Sequence, residues 1–183
     1  TCGLHTIGLV NVPGSTIARE SDFVLPTRAG PEIGVASTKA FTAQLTVLLS
    51  FAVALGRAKG TINAERAEQI HNQIQALPGL VGRALALFDA IRPIAHGLSQ
   101  VRSALYLGRG TLYPLALEGA LKLKELSYIH AEGFASGEMK HGPIALIEEG
   151  LPIVALLAAD EIIAKATSNL REVTARGGQI ILV

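Results

Sequence analysis

Cysteine, tryptophan and an excess of charge of either sign are missing or nearly so from this sequence of 183 residues. The single cysteine, Cys2, excludes an internal disulfide and a multi-cysteine metal site, which predicts a reducing, cytoplasmic compartment. Cys2 leads into an apolar strand, so a buried thiol is expected rather than a nucleophile. Aromatic residues make up 4% of the chain, so few side chains are available on which the bases of a single-stranded nucleic acid or the rings of a glycan could stack. A net charge of +1 argues against a nucleic-acid-binding surface.

Apolar residues are abundant, at 49% of the chain, so the sequence can bury a sizeable core. The longest uncharged run lies between Lys39 and Arg57. It is shorter than the roughly 20 apolar residues of a membrane span and contains hydroxyl and amide side chains. We therefore predict a buried helix and no membrane span. The first residues also lack the basic and apolar regions of a signal peptide.

The first half of the chain predicts two short strands and a long helical region. Strands are expected over 6–11 and 23–25, followed by a loop and a helix that Ser37 or Thr38 caps. This helix is apolar on nearly all sides and should lie deep in the structure. Residues 61–100 predict a helical connector with a break at Pro78-Gly79.

The second half alternates strands and helices, which predicts parallel pairing with helices on both faces of the sheet. The fold class is therefore α/β, doubly wound and flavodoxin-like. A Gly-rich segment over 130–143 is expected to be a loop. The predicted elements are a strand over 104–107, a helix from Pro114 to about 129, a strand over 152–157, a helix over 161–176 and a strand over 179–183.

Two observations bear on the organisation of the chain. It begins and finishes on strands, although the faces of a parallel sheet need cover, so a segment of a longer polypeptide is expected. The segment Glu32…Ala36-Ser37-Thr38-Lys39 is echoed one hundred residues later by Glu132…Ala135-Ser136…Lys140. The echo indicates two incomplete copies of one α/β unit, which we assign to residues 1–60 and 61–183.

The helix ALEGALKLKEL carries the most informative charges. Glu118, Lys122 and Glu125 follow each other at i, i+4 and i+7 and share one helix face. A solvated, salt-bridged surface would explain this spacing. The surrounding leucines instead favour drawing the charges inward, where a carboxylate held by an ammonium group can transfer protons. Both interpretations stay open on the residues alone.

His141 and Arg109 are further candidates. His141 lies between turns beside Lys140 and could act as a general acid or base, or make a structural hydrogen bond. Arg109 lies in a Gly-Arg-Gly segment where a strand leads into a helix, a place that favours small anionic ligands. Neither segment is a nucleotide-binding motif, and no metal-ligand spacing is present. We predict no metal and no cofactor.

Several segments together resemble one family closely. GPEIGVASTKAFTAQL, LGRGTLYPLALEGALKLKELSYIHAEGFASGEMKHGPIAL and ARGGQIILV are similar to the isomerase half of the glutamine–fructose-6-phosphate aminotransferases (glucosamine-6-phosphate synthases), which contains two sugar-isomerase (SIS) domains. The resemblance covers essentially the whole chain. The family converts fructose 6-phosphate and glutamine into glucosamine 6-phosphate and glutamate, toward UDP-N-acetylglucosamine.

The resemblance implies specific roles. Glu125 resembles the carboxylate that moves a proton between C1 and C2 of the sugar, and Lys122 the lysine that assists it. His141 resembles the histidine that aids ring opening and comes from the neighbouring subunit, which implies a homodimer. Val35 and Ser37 resemble sugar-contacting positions.

The sequence also departs from the family. A Ser-Gln-Ser-Gly-Glu-Thr-type phosphate loop, the C-terminal lysine-bearing tail and the glutaminase domain are not found in it. The 183 residues alone are therefore expected to be weakly active or inactive. Two other functions stay open, a non-catalytic phosphosugar-binding SIS module and a related SIS deglycase or sugar-phosphate isomerase.

Overall fold

The computed structural model describes residues 3–183, so the predicted buried thiol at Cys2 lies outside the described residues. Packing divides the chain into two compact units, Thr1–Phe88 and Asp89–Val183. The division falls inside the predicted connector, and the predicted boundary between the two sequence copies at residue 60 stays a prediction.

The first unit combines a small parallel sheet with long helices. The short apolar runs predicted two strands, and the structure has them as β1 (Ile7–Val10) and β2 (Phe23–Pro26), which pair in parallel. Ser15 caps the helix between them, and its hydroxyl accepts a hydrogen bond from the Ala18 amide. The sequence analysis did not predict that helix. The elements are β1 (Ile7–Val10), α1 (Thr16–Glu20), β2 (Phe23–Pro26), α2 (Lys39–Ala58) and α3 (Ala64–Leu85).

Helix α2 corrects the expectation of deep burial. Only Ala40 and Gly56 are buried in it, while its four leucines at 45, 48, 49 and 55 are 43–47% exposed. Its main neighbour is α3, which covers one side, and the two strands of this unit are too few to cover another. The predicted cap is also wrong in detail, because the Thr38 side chain makes no capping hydrogen bond.

The predicted break at Pro78-Gly79 is likewise wrong. Pro78 lies inside α3, and the helical region is interrupted only at residues 86–87. A proline removes one backbone hydrogen bond, and in a helix of 22 residues the other turns maintain the structure. The predicted apolar stripe is confirmed, since Ile70, Ile74 and Leu77 are all half-buried.

By length and hydropathy alone, α2 could cross a membrane. The helices Ala64–Leu85 and Phe88–Leu98 meet the same criteria only if they are taken together as one broken span. Core helices of other proteins meet these criteria as well, so the absence of a membrane span stays a prediction.

The second unit contains the parallel sheet that the alternating pattern predicted. From one edge to the other its strands are β4 (His130–Ala135), β3 (Ser103–Gly108), β5 (Pro152–Ala155) and β6 (Gln179–Leu182), and every pairing is parallel. The elements are α4 (Phe88–Leu98), β3 (Ser103–Gly108), α5 (Leu112–Ser127), β4 (His130–Ala135), the 3₁₀ helices Ser136–His141 and Pro143–Leu146, β5 (Pro152–Ala155), α6 (Ile163–Thr174) and β6 (Gln179–Leu182).

The sequence analysis expected a loop over the Gly-rich segment 130–143, and this expectation is wrong. The first part of this segment is β4, which pairs along the whole length of β3. Its second part, Ser136–His141, is a 3₁₀ helix that we call the His141 helix. Glycine has a low strand propensity, which is why composition misses the strand; pairing with β3 overrides that propensity.

The core of this unit lies where β3 and β5 meet α6 and the His141 helix. Its residues are almost inaccessible to solvent: Leu105, Leu107, Met139, Ile147, Leu151, Ile153, Ala155, Leu170 and Val173. Strand β3 has a neighbouring strand on each side, and residues 109–111 connect its carboxyl end to α5. The turn is tight enough that a Cβ added at Gly108 would lie 2.2 Å from the Leu112 carbonyl oxygen.

We predict that Gly108→Ala lowers the free energy of unfolding by about 1–3 kcal/mol, because the added methyl group meets backbone that cannot move aside. Urea denaturation measures the change. Gly97→Ala in α4 is the matched control, because no atom other than the backbone next to it in its own helix lies within 4 Å of its added Cβ. Alanine there should stabilise the helix by up to about 1 kcal/mol. Equal effects of the two substitutions would contradict the role of Gly108.

Candidate active site

Helix α5 is positioned by small residues on its inner face. Ala116 and Ala120 are buried, and a Cβ added at Gly133 of β4 would lie 2.9 Å from the Leu117 Cα. The helix backbone therefore packs directly on the β3–β4 part of the sheet. This contact determines which way the remaining side chains of α5 point.

The opposite face of α5 carries the charged residues that the spacing predicted. The Lys122 Nζ donates to Glu125 Oε2 at 2.5 Å and lies 3.5 Å from Glu118 Oε1. The side chains of Glu118 and Lys122 are 22% and 20% exposed, and that of Glu125 is 34% exposed. We call these three residues the α5 triad. One ammonium group thus lies between two carboxylates at a partly shielded surface.

The hydrogen bond to Glu125, together with the charges of both carboxylates, raises the pKa of Lys122 above its ordinary value of 10.5. Partial burial lowers the pKa of Lys122, but the hydrogen bonds and charges of the two carboxylates together raise it by more. Lys122 therefore stays protonated at every physiological pH. A permanently charged donor orients the Glu125 carboxylate and leaves its second oxygen available to accept a proton.

Of the two interpretations that the sequence left open, the structure does not show the one in which the leucines draw the triad inward. Leu117, Leu121 and Leu126 are 41–65% exposed. The reason is that alanine and glycine allow α5 to approach the sheet more closely than leucine would, so the small residues occupy the inner face. The triad and its leucines together form an outward face that is apolar around a charged centre.

His141 lies on the His141 helix, at the end of β4. Its Nδ1 is 2.7 Å from Glu138 Oε2, and its side chain is 71% exposed. Within residues 3–183 no hydrogen bond or ion pair links it to Lys122 or Glu125. The role of His141 stays a prediction, and Glu138 is a partner that the sequence analysis missed although the i, i+3 spacing could have revealed it.

Arg109 lies directly after β3 and points toward α6. Its Nη1 donates to Asn169 Oδ1 at 3.0 Å, and a Cβ added at Gly137 would lie 2.7 Å from the same nitrogen. The cavity beside it measures about 10 Å³, room for about one water molecule. The guanidinium is thus engaged with protein groups, and its predicted contact with substrate stays a prediction.

Val35 and Ser37 lie in the first unit, in the loop between β2 and α2. Val35 is 98% exposed and Ser37 is half-buried. Their predicted contacts with a sugar stay predictions. Metal-ligand groupings of three or more His, Cys, Asp or Glu side chains are not found among residues 3–183.

The sequence profile of the SIS domain matches two separate segments, residues 2–54 and 97–183. These segments cover more than half of the chain. The chain belongs to the SIS domain family. The assignment of two copies of one α/β unit to residues 1–60 and 61–183 stays a prediction.

Relatives of this SIS chain include glutamine–fructose-6-phosphate aminotransferases. Those of Brucella abortus and Bartonella quintana are 56% and 54% identical over 99% of the chain, which spans 30% of their own length. The resemblance stated from the motifs is therefore confirmed.

Solved structures agree with this assignment. This chain aligns with the C-terminal domain of the Francisella tularensis glucosamine–fructose-6-phosphate aminotransferase at a TM-score of 0.96 and 46% sequence identity. The alignment covers 98% of this chain and 50% of that chain. Tagatose-6-phosphate ketose/aldose isomerase of Escherichia coli, at 19% identity, has a TM-score of 0.71 over 97% of this chain and 48% of that chain. This second likeness shows the fold alone, and the predicted α/β class with parallel sheets is confirmed.

We predict that Glu125→Gln lowers the pKa of Lys122 toward its ordinary value, because the amide removes the hydrogen-bonded negative charge that raises it. In the native chain, the stabilising effect of the pair is complete below pH 10.5 and is lost as the pH rises through the raised pKa. NMR titration of the Lys122 Cε resonance measures the shift. Lys124, on another side of α5, provides the control resonance. An unchanged Lys122 titration in the variant would contradict the coupling.

Proposed function

We propose that this chain forms part of an active site that converts fructose 6-phosphate and ammonia derived from glutamine into glucosamine 6-phosphate. The observation that carries the proposal is the α5 triad, in which Lys122 holds Glu125 at 2.5 Å. A module that only binds a phosphosugar has no need for a carboxylate paired with a permanent cation. The high identity to aminotransferases of this type supports the same function.

The roles of the residues follow from the chemistry of a ketose–aldose conversion. Ammonia replaces the carbonyl oxygen at C2 as an imine and releases water. The Glu125 carboxylate then takes a proton from C1 and returns it to C2, while the proton of the hydroxyl on C1 passes to the imine nitrogen. These two transfers leave an aldehyde at C1 and an amino group at C2. Lys122 stabilises the negative charge that develops between these steps.

The sugar must be open before this proton transfer. In the cyclic form the bond between C2 and the ring oxygen has to break, with a proton supplied to that oxygen and another lost from the hydroxyl on C2. His141, hydrogen-bonded to Glu138, is a candidate for supplying the first proton. Val35, Ser37 and Arg109 are proposed as sugar or phosphate contacts.

The remaining parts of the reaction are assigned to other segments of such a protein. The phosphate loop, the tail lysine and the glutaminase domain of the family have no counterpart among these 183 residues. We expect little activity from these residues by themselves. The single cysteine supports a cytoplasmic location.

The test uses the protein as its gene encodes it, mixed with fructose 6-phosphate in deuterated buffer. NMR of the sugar measures how fast its C1 hydrogen exchanges for deuterium. Glu125→Gln should slow exchange by about 10²–10⁴-fold, the usual effect of removing an acid–base group. The matched control is Glu118→Gln, which removes the other carboxylate beside Lys122. It should change exchange by less than about fivefold, because a partly exposed ion pair contributes up to about 1 kcal/mol.

Three outcomes would oppose the proposal. Equal exchange in the native protein and Glu125→Gln would remove Glu125 from the mechanism. Equal losses in both glutamine variants would indicate a general effect of the triad's charge. Binding of fructose 6-phosphate without exchange in the native protein would favour the phosphosugar-binding module.

We further propose a homodimer in which His141 serves the site of its neighbour. Exposed leucines around the triad support a covering surface. Glu125→Gln and His141→Asn should each be inactive, and mixing them should restore about a quarter of the native rate, because half of the randomly formed twofold dimers then hold one intact site. Sedimentation measures assembly alongside. Monomers at micromolar concentration, or no recovery on mixing, would contradict the proposal.

A further inference from the structure

The His141 helix has little that holds it in place by itself. It is a 3₁₀ helix of six residues, and its N-cap residue, Ala135, offers no side-chain hydrogen bond. Hydrogen bonds in 3₁₀ helices are poorly aligned, so a segment this short depends on tertiary contacts for its position. The residues just before His141 supply such contacts.

Two consecutive residues tie the helix to the rest of the unit. Met139 is 1% exposed and belongs to the hydrophobic core. The Nζ of Lys140 lies 2.8 Å from Glu172 Oε1 on α6. Helix α6 is itself held in the core through Leu170 and Val173, which flank Glu172 in sequence. The ion pair therefore connects a short, weak helix to a long, well-packed one.

The pair is better shielded on the α6 side than a typical surface salt bridge. The Glu172 side chain is 29% exposed, and its second oxygen is buried without a hydrogen-bond partner among the described residues. Lys140 is thus the cation that compensates this carboxylate. Removal of Lys140 would leave the partly buried Glu172 carboxylate unpaired. This favours movement of the His141 helix away from α6, because water can then reach the carboxylate.

The pair also separates charges around His141. Lys140 precedes His141 directly and lies two residues from Glu138, whose carboxylate is bonded to the imidazole at 2.7 Å. An ammonium group free to turn would compete with His141 for that carboxylate. Glu172 draws the ammonium toward α6, so Glu138 remains the partner of His141.

We propose that Lys140 and Glu172 are positioning residues for sugar ring opening, acting through His141 without touching the substrate. This inference rests on the proposed function and its assignment of ring opening to His141. It predicts that loss of either member affects a substrate that must open and spares a substrate that is already open.

The experiment compares two substrates in the protein as its gene encodes it. Fructose 6-phosphate must open, whereas 5-deoxyfructose 6-phosphate lacks the hydroxyl that closes its ring. Lys140→Met and Glu172→Gln should each lower kcat on fructose 6-phosphate by about 10–100-fold, as expected for a misplaced catalytic group. On the 5-deoxy sugar, kcat should change by less than about threefold, the scale of an exposed ion pair.

Matched variants identify the cause. Exchange of the two charges, by Lys140→Glu combined with Glu172→Lys, should restore most of kcat on fructose 6-phosphate. Such recovery would show that the losses in the single variants come from the broken ion pair and not from misfolding. Lys165→Met removes an exposed lysine of α6 and should have no effect. His141→Asn should show the same dependence on substrate as the two positioning variants, and sets the largest loss to be expected.

Each adverse outcome has a defined meaning. Equal losses on both substrates, or no loss on either, would overturn the positioning role. A ring-dependent loss in His141→Asn without one in Lys140→Met and Glu172→Gln would overturn this inference and leave the proposed function intact. No ring-dependent loss in His141→Asn would overturn the inference together with the role proposed for His141.

Discussion

Parallel pairing of β3 with a strand on each side is the constraint on which the second unit depends. The pairing brings the carboxyl ends of neighbouring strands to one edge of the sheet, and Leu105 and Leu107 of β3 are only 4% and 1% exposed. The chain must then turn sharply at Gly108 into α5, and the end of β4 must lead directly into the His141 helix. The charged groups of the candidate site therefore occupy places that strand pairing prescribes.

Two kinds of polar pair occur in this unit. The pairs Lys122–Glu125 and Glu138–His141 lie within single helical segments, so the geometry of one turn sets their spacing. The pairs Lys140–Glu172 and Arg109–Asn169 connect segments far apart in sequence and meet on one helix, α6. The first kind depends on local helix geometry, and the second kind depends on the packing of α6 against the rest of the unit.

Exposed apolar surface is distributed unevenly over the chain. The second unit has a sheet of four strands and a well-formed core, whereas the first has two strands beside a helix of 20 residues. Two strands present too little surface to bury such a helix, which explains the exposed leucines of α2. On α5 the exposed leucines have another cause, because alanine and glycine take the inner face.

The sequence by itself determined the parallel pairing of the second unit, the α5 triad and the family, because periodicity, helix spacing and motif letters are local properties. It did not reveal β4, whose glycines have a low strand propensity until β3 pairs with them. It also suggested a break at Pro78 and burial of α2, both of which depend on neighbours in space. Only the tertiary structure brought Lys140 to Glu172 and Arg109 to Asn169, because residues 32 and 60 positions apart meet through packing that no local pattern encodes.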